Sequence, residues 1–321
     1  MMSCSYSLTL LKAICSLLIL CGCATAPLAQ TSEIPGAFVD IGYGARPMGM
    51  GGAFVALADD ANAVLWNPAG LTRLDGSQLT GMYGHQMGVV PYGFVGFATP
   101  LSERMGLGVG VMYSGDAALK EMTALFSLAH SLIPGLDAGL SAKTRWATYG
   151  NNPDGAWDPG GGNRQVQGHA LGFGCDLGVI YAVNQRTTVG FMWRDFVAPL
   201  SWEAQNDAGT AQGGGESIPM TLIFGTAHRL GDGVTISLNF DRSLTSDTAD
   251  RVRMGYENQL WEMLFLRLGY GQQISATPDR FYTLGLGVAG DVRETWHLGF
   301  DMAYLFHELA NTPRVSLTLD F

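Results

Sequence analysis

From residue 77 to the end of the chain, apolar residues alternate one for one with small or polar ones. In "RMGLGVGVMY", Met105, Leu107, Val109, Val111 and Tyr113 are apolar, and glycines fall between them. "YTLGLGVAG" repeats the pattern with Tyr282, Leu284, Leu286 and Val288, and "TWHLGFDMAY" with Trp296, Leu298, Phe300, Met302 and Tyr304. "RVSLTLDF" closes the chain with Val315, Leu317, Leu319 and Phe321. A period of two puts successive side chains on opposite faces of a sheet, so each segment is a strand with one apolar face. Fourteen such segments occur, at 77–85, 91–98, 104–113, 120–130, 136–148, 167–182, 187–197, 218–229, 233–241, 250–258, 263–273, 280–289, 294–304 and 313–321. Most have the length, about 9–11 residues, that a tilted strand needs to cross a bilayer. Single-chain bacterial barrels also require an even strand count.

The charges decide which face meets lipid. Lys143, Arg145, Asp176, Arg194, Asp241, Arg251, Arg253, Glu257, Arg267, Asp301, Arg314 and Asp320 all fall on the face opposite the apolar residues; Asp195 alone breaks the pattern. A charge facing lipid at mid-depth costs about 2–4 kcal/mol, so this segregation is expected of a transmembrane barrel. A soluble sandwich would turn its apolar face inward. With only 14% charged residues, against about 25% in ordinary soluble domains, such a sandwich would be poorly solvated. The connections agree. "TPLSER", "VNQR", "RLGDG" and "GDVRE" are short, whereas "GNNPDGAWDPGGGNRQ" and "APLSWEAQNDAGTAQGGGE" are long. With the N-terminus periplasmic, every long loop falls outside. The terminal Phe321 fits the signature by which such barrels are recognised for assembly.

The first 29 residues read as a secretory signal peptide, with Lys12 ahead of the apolar "AICSLLIL". Leu20-Cys21-Gly22-Cys23 resembles a lipobox that would leave Cys23 as a lipidated first residue; the other option is cleavage near Ala29. Beyond this leader only Cys175 remains, which excludes an internal disulfide and a cysteine metal centre. Without Lys12 the chain carries 17 basic against 28 acidic residues, a balance that argues against a nucleic-acid partner.

Between leader and barrel lies "GARPMGMGGAFVALADDANAVLWNPAGL", residues 44–71. Its glycines lack the strand–GxGxxG–helix context of a dinucleotide site. Asp59 and Asp60 lack the alternating ligand spacing of a calcium loop, and read instead as a turn and cap before "ANAVLW". Ala53, Phe54, Val55, Leu57, Val64, Leu65 and Trp66 require burial, and a fourteen-stranded barrel has a lumen that requires filling. The expected architecture is all-β: a 14-stranded transmembrane antiparallel β-barrel over 77–321, with residues 30–76 as an N-terminal hatch inside the lumen.

These residues carry a family resemblance. Ala45-Arg46-Pro47-Met48-Gly49-Met50-Gly51-Gly52-Ala53 and Asn67-Pro68-Ala69-Gly70-Leu71 resemble the N-terminal signature of FadL-type hydrophobic-compound transporters and of the related PorV/PorQ barrels. The resemblance implies a plugged fourteen-stranded barrel whose hatch motif comprises Gly49, Gly51, Gly52, Asn67, Pro68, Ala69, Gly70 and Leu71. The outer loops are shorter than in FadL-type transporters.

Two functions follow as expectations. The first is passage of a hydrophobic, fatty-acid-like small molecule across the bacterial outer membrane. The second is a PorV/PorQ-like role, docking a secreted or surface protein. Trp157, Trp202, Met87, Val89 and Val90 lie in the outer loops, where a membrane-interface girdle explains aromatics equally well. Lumen-lining positions are expected at Lys143, Arg145, Arg194, Arg251, Arg253, Glu257, Arg267 and Asp301, with the three arginines 251, 253 and 267 holding the hatch by charge-assisted bonds. His297 shares an inner face with Asp301 but stands about 13 Å away along the strand, and Gly-x-Ser-x-Gly is absent. Outer-membrane lipid is the expected surround; no catalytic residue, metal or cofactor is expected.

Overall fold

The computed structural model describes residues 42–116, 118–150, 166–206, 211–244, 249–275, 278–293 and 295–321. The signal peptide read at 1–29, residues 30–41 of the expected hatch, and Trp157 lie outside the described residues.

Sixteen strands follow in chain order: β1 (Gln78–Gln86), β2 (Val90–Ser102), β3 (Met105–Gly115), β4 (Leu119–Ile133), β5 (Leu136–Tyr149), β6 (Val166–Ala182), β7 (Thr187–Val197), β8 (Pro199–Asn206), β9 (Ala211–Ser217), β10 (Thr221–Leu230), β11 (Val234–Ser243), β12 (Asp250–Leu260), β13 (Leu264–Ile274), β14 (Arg280–Arg293), β15 (Trp296–His307) and β16 (Thr312–Asp320). β1–β7 and β10–β16 close into a fourteen-stranded antiparallel barrel, sealed where β1 pairs β16 with Gln78 opposite Asp320. The exposed strand face is apolar: Val95, Val109, Leu140, Phe173, Leu286, Phe300 and Leu317 all point out. The buried face carries Lys143, Asp176, Arg253, Arg267 and Arg314. That inversion of the soluble pattern defines a wall immersed in lipid.

Described connections at one end, 103–104, 134–135, 183–186, 231–233 and 261–263, have two to four residues. The opposite end carries the long ones. There "APLSWEAQNDAGTAQGGGE", expected as a loop, instead contains the β8–β9 hairpin. Gly213–Gly215 and Pro199 erase its alternation in sequence, but β8 pairs the outer half of β6 with Leu171 opposite Ser201. β6, 17 residues long, therefore has β7 as neighbour only below Cys175.

That switch explains the one charge that broke the pattern. The β6–β7 register shifts between Cys175 and Leu177, and Asp195 takes φ 55°, the left-handed region. The bulge turns the Asp195 side chain inward, where it is 6% exposed.

Residues 42–76 pack against the buried face of the wall. They form a short helix α1 (Ala45–Gly49), a single turn α2 (Ala63–Trp66) and a 3₁₀ turn (Pro68–Arg73). Met50, Phe54, Val55, Val64 and Leu71 are completely buried. The wall glycines make this possible. A Cβ on Gly190 would stand 2.5 Å from Val55 O, one on Gly255 2.7 Å from Met50 O, and one on Gly285 3.0 Å from Gly49 Cα. Cβ atoms on Gly106, Gly139, Gly178 and Gly269 would collide with Leu71, Pro68, Asn67 and Gly51. Several are register partners: Gly139 with Gly178, Gly190 with Gly225, Gly255 with Gly269. The glycines between the apolar residues are thus the footprint of the N-terminal segment on the wall.

Candidate functional site: the lumen segment, its charged clamp and two cavities

The segment is held by backbone as much as by side chains. Asn67, fully buried, donates Nδ2 to Val55 O at 2.8 Å and accepts at Oδ1 from Ala69 N at 3.2 Å. It also reaches Val179 O and Phe191 O on β6 and β7, at 3.3 and 3.4 Å. Pro68 fixes the first position of the 3₁₀ turn and packs on Gly139. Ala69 and Leu71 are buried, and a side chain at Gly70 would collide with Ala58. Gly51 and Gly52 adopt φ 65° and 76°, which only glycine takes without strain. Gly51 N donates to Thr283 Oγ1 at 3.1 Å, and that hydroxyl donates to Gly49 O at 3.0 Å.

The charged clamp centres on Arg46 of α1. Its Nη1 meets Asp59 at 2.8 Å and Asp60 at 2.7 Å, and its Nε and Nη2 form a fork on Glu257 of β12 at 3.0 and 3.1 Å. Both adjacent aspartates converge on one cation, with Ala58 turning through φ 27° just before them. Asp60 also takes the expected turn role, accepting from Asn62 N at 2.8 Å. Burial disfavours the Arg46 cation, but Asp59, Glu257 and Asp60 outweigh it and raise its pKa well above the ordinary arginine value. Behind Glu257, Arg267 bonds Glu257 at 2.6 Å and Asp301 at 2.6 Å.

The arginines expected to hold the hatch therefore act differently from one another. Arg267 bonds Glu257, which in turn holds Arg46, and its aliphatic stem lies beside Gly49. Arg253 pairs with Asp241 at 2.7 Å and lies over the Trp66 ring, 6.0 Å from its centroid. Arg251 is half-buried at the outer end of β12. Direct contacts also come from Glu257 on Arg46, from Arg314 donating to Gly42 O at 3.0 Å, and from two residues the sequence did not single out, Thr188 donating to Ala56 O at 2.8 Å and Ser316 accepting from Ala45 N at 2.8 Å. Their signal was present, as polar residues on the inner face of glycine-rich strands.

Above the segment, toward the long-connection end of the barrel, lies a cavity of about 80 Å³. Its floor is Tyr43, Leu65 and Trp66 of the segment; Met112 and Leu125 of the wall extend the apolar lining. Lys143, Arg145, Arg194, Asp195 and Glu121 supply charge on one side. Lys143 Nζ bonds Asp176 at 2.7 Å and Asp195 at 2.9 Å, and Arg145 Nη2 bonds Asp195 at 2.6 Å. Below the segment a second cavity, of about 340 Å³, is lined by Arg46, Leu57, Asp59, Arg229, Thr235 and Glu257. Among the described residues no cluster of His, Cys, Asp and Glu could hold a metal ion. Of the outer apolar residues, Met87 and Val89 are exposed, and Trp202 donates Nε1 to Glu216 at 3.2 Å.

No protein-family model matches the chain, and no curated protein matches it in sequence. Solved structures do match in fold. CymD, described as a monoaromatic hydrocarbon channel, aligns with TM-score 0.66 and 18% identity, over 89% of this chain and 99% of its own. The toluene transporter TodX of Pseudomonas putida aligns at 0.60 and 16%, over 87% and 96%. A FadL homologue of Pseudomonas aeruginosa aligns at 0.60 and 12%, over 87% and 98%. The chain is a fourteen-stranded antiparallel β-barrel with the fold of these solved FadL-type barrels. These neighbours are transporter and channel barrels rather than enzymes.

Proposed function

We propose that this barrel passes hydrophobic small molecules across the outer membrane, with residues 42–76 acting as its hatch and no catalytic step. The observation that carries this reading is the upper cavity. It lies on the long-connection side of the N-terminal segment, against Tyr43, Leu65 and Trp66. A ligand settling there exchanges water for apolar surface, at about 0.8 kcal/mol per methylene buried. Lys143, Arg145 and Arg194 along one side suit a ligand with an acceptor head and an apolar body, as in a fatty acid. The descriptions of CymD and TodX support small hydrophobic cargo in this fold. Release past the segment requires it to move, or requires a sideways path where β6 changes partner from β7 to β8.

The test is mass spectrometry of apolar molecules that co-purify with the detergent-extracted barrel, combined with fluorescence of Trp66. A near-stoichiometric apolar molecule, and quenching by added fatty acid that is lost in Trp66→Phe, is the expected result. A barrel free of small molecules but holding a polypeptide would replace this reading with the docking role.

A further inference from the structure

Of the five described non-glycine residues at positive φ, Ala58 is the only buried apolar one, with φ 27° and a fully buried side chain. Met87, Trp261 and Glu262 sit in exposed strand connections, and Asp195 has a carboxylate that Lys143 and Arg145 hold. An alanine has no such compensation. Its Cβ crowds the following carbonyl oxygen, and strain of this kind persists only where the surroundings over-determine it. They do so on both sides. Ala58 N donates to Phe54 O at 2.9 Å, and Gly70, without a side chain, leaves room for the Ala58 carbonyl. Beyond it, Arg46 grips Asp59 and Asp60 at 2.8 and 2.7 Å, and Ala61 N donates to Gln78 at 2.7 Å.

Ala58 is also where the segment changes its support. α1 packs against β13–β16, whereas the 3₁₀ turn packs against β2–β6. Between these two footings the chain borders free space. Leu57 and Asp59, the residues on either side of Ala58, line the lower cavity of about 340 Å³ together with Arg46. That cavity gives the chain room to change its φ at Ala58, which the packed surroundings of Met50, Phe54 and Leu71 do not.

We propose that Ala58 is a strained joint between the two halves of the segment, held shut by the Arg46 clamp. When the clamp opens, the strain drives residues 57–60 toward the lower cavity, and the segment bends there while the 3₁₀ turn keeps its place on the wall. The inference rests on the reading of residues 42–76 as a hatch and names where that hatch bends.

The test is hydrogen exchange of residues 54–62 in the full chain, read as protection relative to the wall strands, alongside basal conductance in planar bilayers. Ala58→Gly removes the strain without adding a side chain, so protection should rise by about fivefold, the relief of strain less the extra freedom of glycine. The same change should restore most of the protection that Arg46→Ala loses. Ala63→Gly, inside the right-handed turn α2, should lower protection, as glycine does where alanine is unstrained. Folding of each variant is checked by heat-modifiable gel mobility. Protection that fails to rise in Ala58→Gly, or a double variant no better protected than Arg46→Ala, would overturn the joint. Protection that responds as expected, with conductance the same in every variant, would uphold the joint and overturn the hatch reading instead.

Discussion

Replacing Gly190 with alanine tests whether the wall glycines exist to receive the hatch. The new Cβ would stand 2.5 Å from Val55 O, 2.7 Å from Ala56 Cα and 2.8 Å from Ala56 N. All three are backbone atoms, so no rotamer change relieves the collision. Restoring ordinary contact moves residues 55–56 by about 1 Å, at the 1–3 kcal/mol typical of overpacking. That displacement also stretches the Asn67–Val55 and Thr188–Ala56 hydrogen bonds, both 2.8 Å, each contributing about 1 kcal/mol. The total, about 3–5 kcal/mol, raises the displaced population of the hatch by two to three orders of magnitude, at about 1.4 kcal/mol per tenfold. The matched control is Gly81→Ala, where nothing lies within 4 Å of the new Cβ. The assay is limited proteolysis of residues 42–76 alongside bilayer conductance. Faster cleavage and higher conductance in Gly190→Ala, with Gly81→Ala unchanged, is expected. Identical behaviour of the two variants, both folded, would refute the reasoning.

Other perturbations act on the clamp, the turn and the cavity. Arg46→Ala removes the cation that joins Asp59, Asp60 and Glu257. It should loosen the hatch by about 3 kcal/mol, the low end for breaking a buried pair because Glu257 keeps Arg267; hydrogen exchange of residues 45–66 reads this out. Asn67→Ala leaves Val55 O without its 2.8 Å donor, and about 1–3 kcal/mol of hatch stability should go with it, seen as raised conductance. In a series of fatty acids, affinity measured through Trp66 should rise roughly fourfold per added methylene, at about 0.8 kcal/mol each, until the cavity is filled. Arg145→Met should weaken a fatty acid more than its methyl ester, by isothermal titration.

The barrel was legible because lipid imposes a strict code. Alternation names the face, and charges such as Arg253 and Arg267 cannot lie on the lipid side. Even the exception was informative, since Asp195 broke the phase where a bulge re-aims it. The β8–β9 hairpin was hidden because it stands beyond the membrane, where Gly213–Gly215 need no apolar face. The contacts of the N-terminal segment were less legible. The sequence shows that Gly190 or Gly269 is small, but not which distant backbone approaches it. Asp59 and Asp60 looked like a local turn because their common partner, Arg46, is brought to them by a fold in the chain 13 residues long. Asn67 and Pro68 stood out through resemblance, while Thr283 and Ser316, which do comparable work, showed only as polar residues on the inner strand face.

The most direct measurement is uptake by intact cells that lack their own transporters of this fold and produce this barrel. Labelled long-chain fatty acid and a labelled monoaromatic hydrocarbon are offered in turn. Saturable uptake of at least one, above the empty-vector rate and diminished by filling the upper cavity with Leu125→Trp, is the predicted result. Uptake of both at the empty-vector rate, with the barrel folded in the outer membrane, would contradict it.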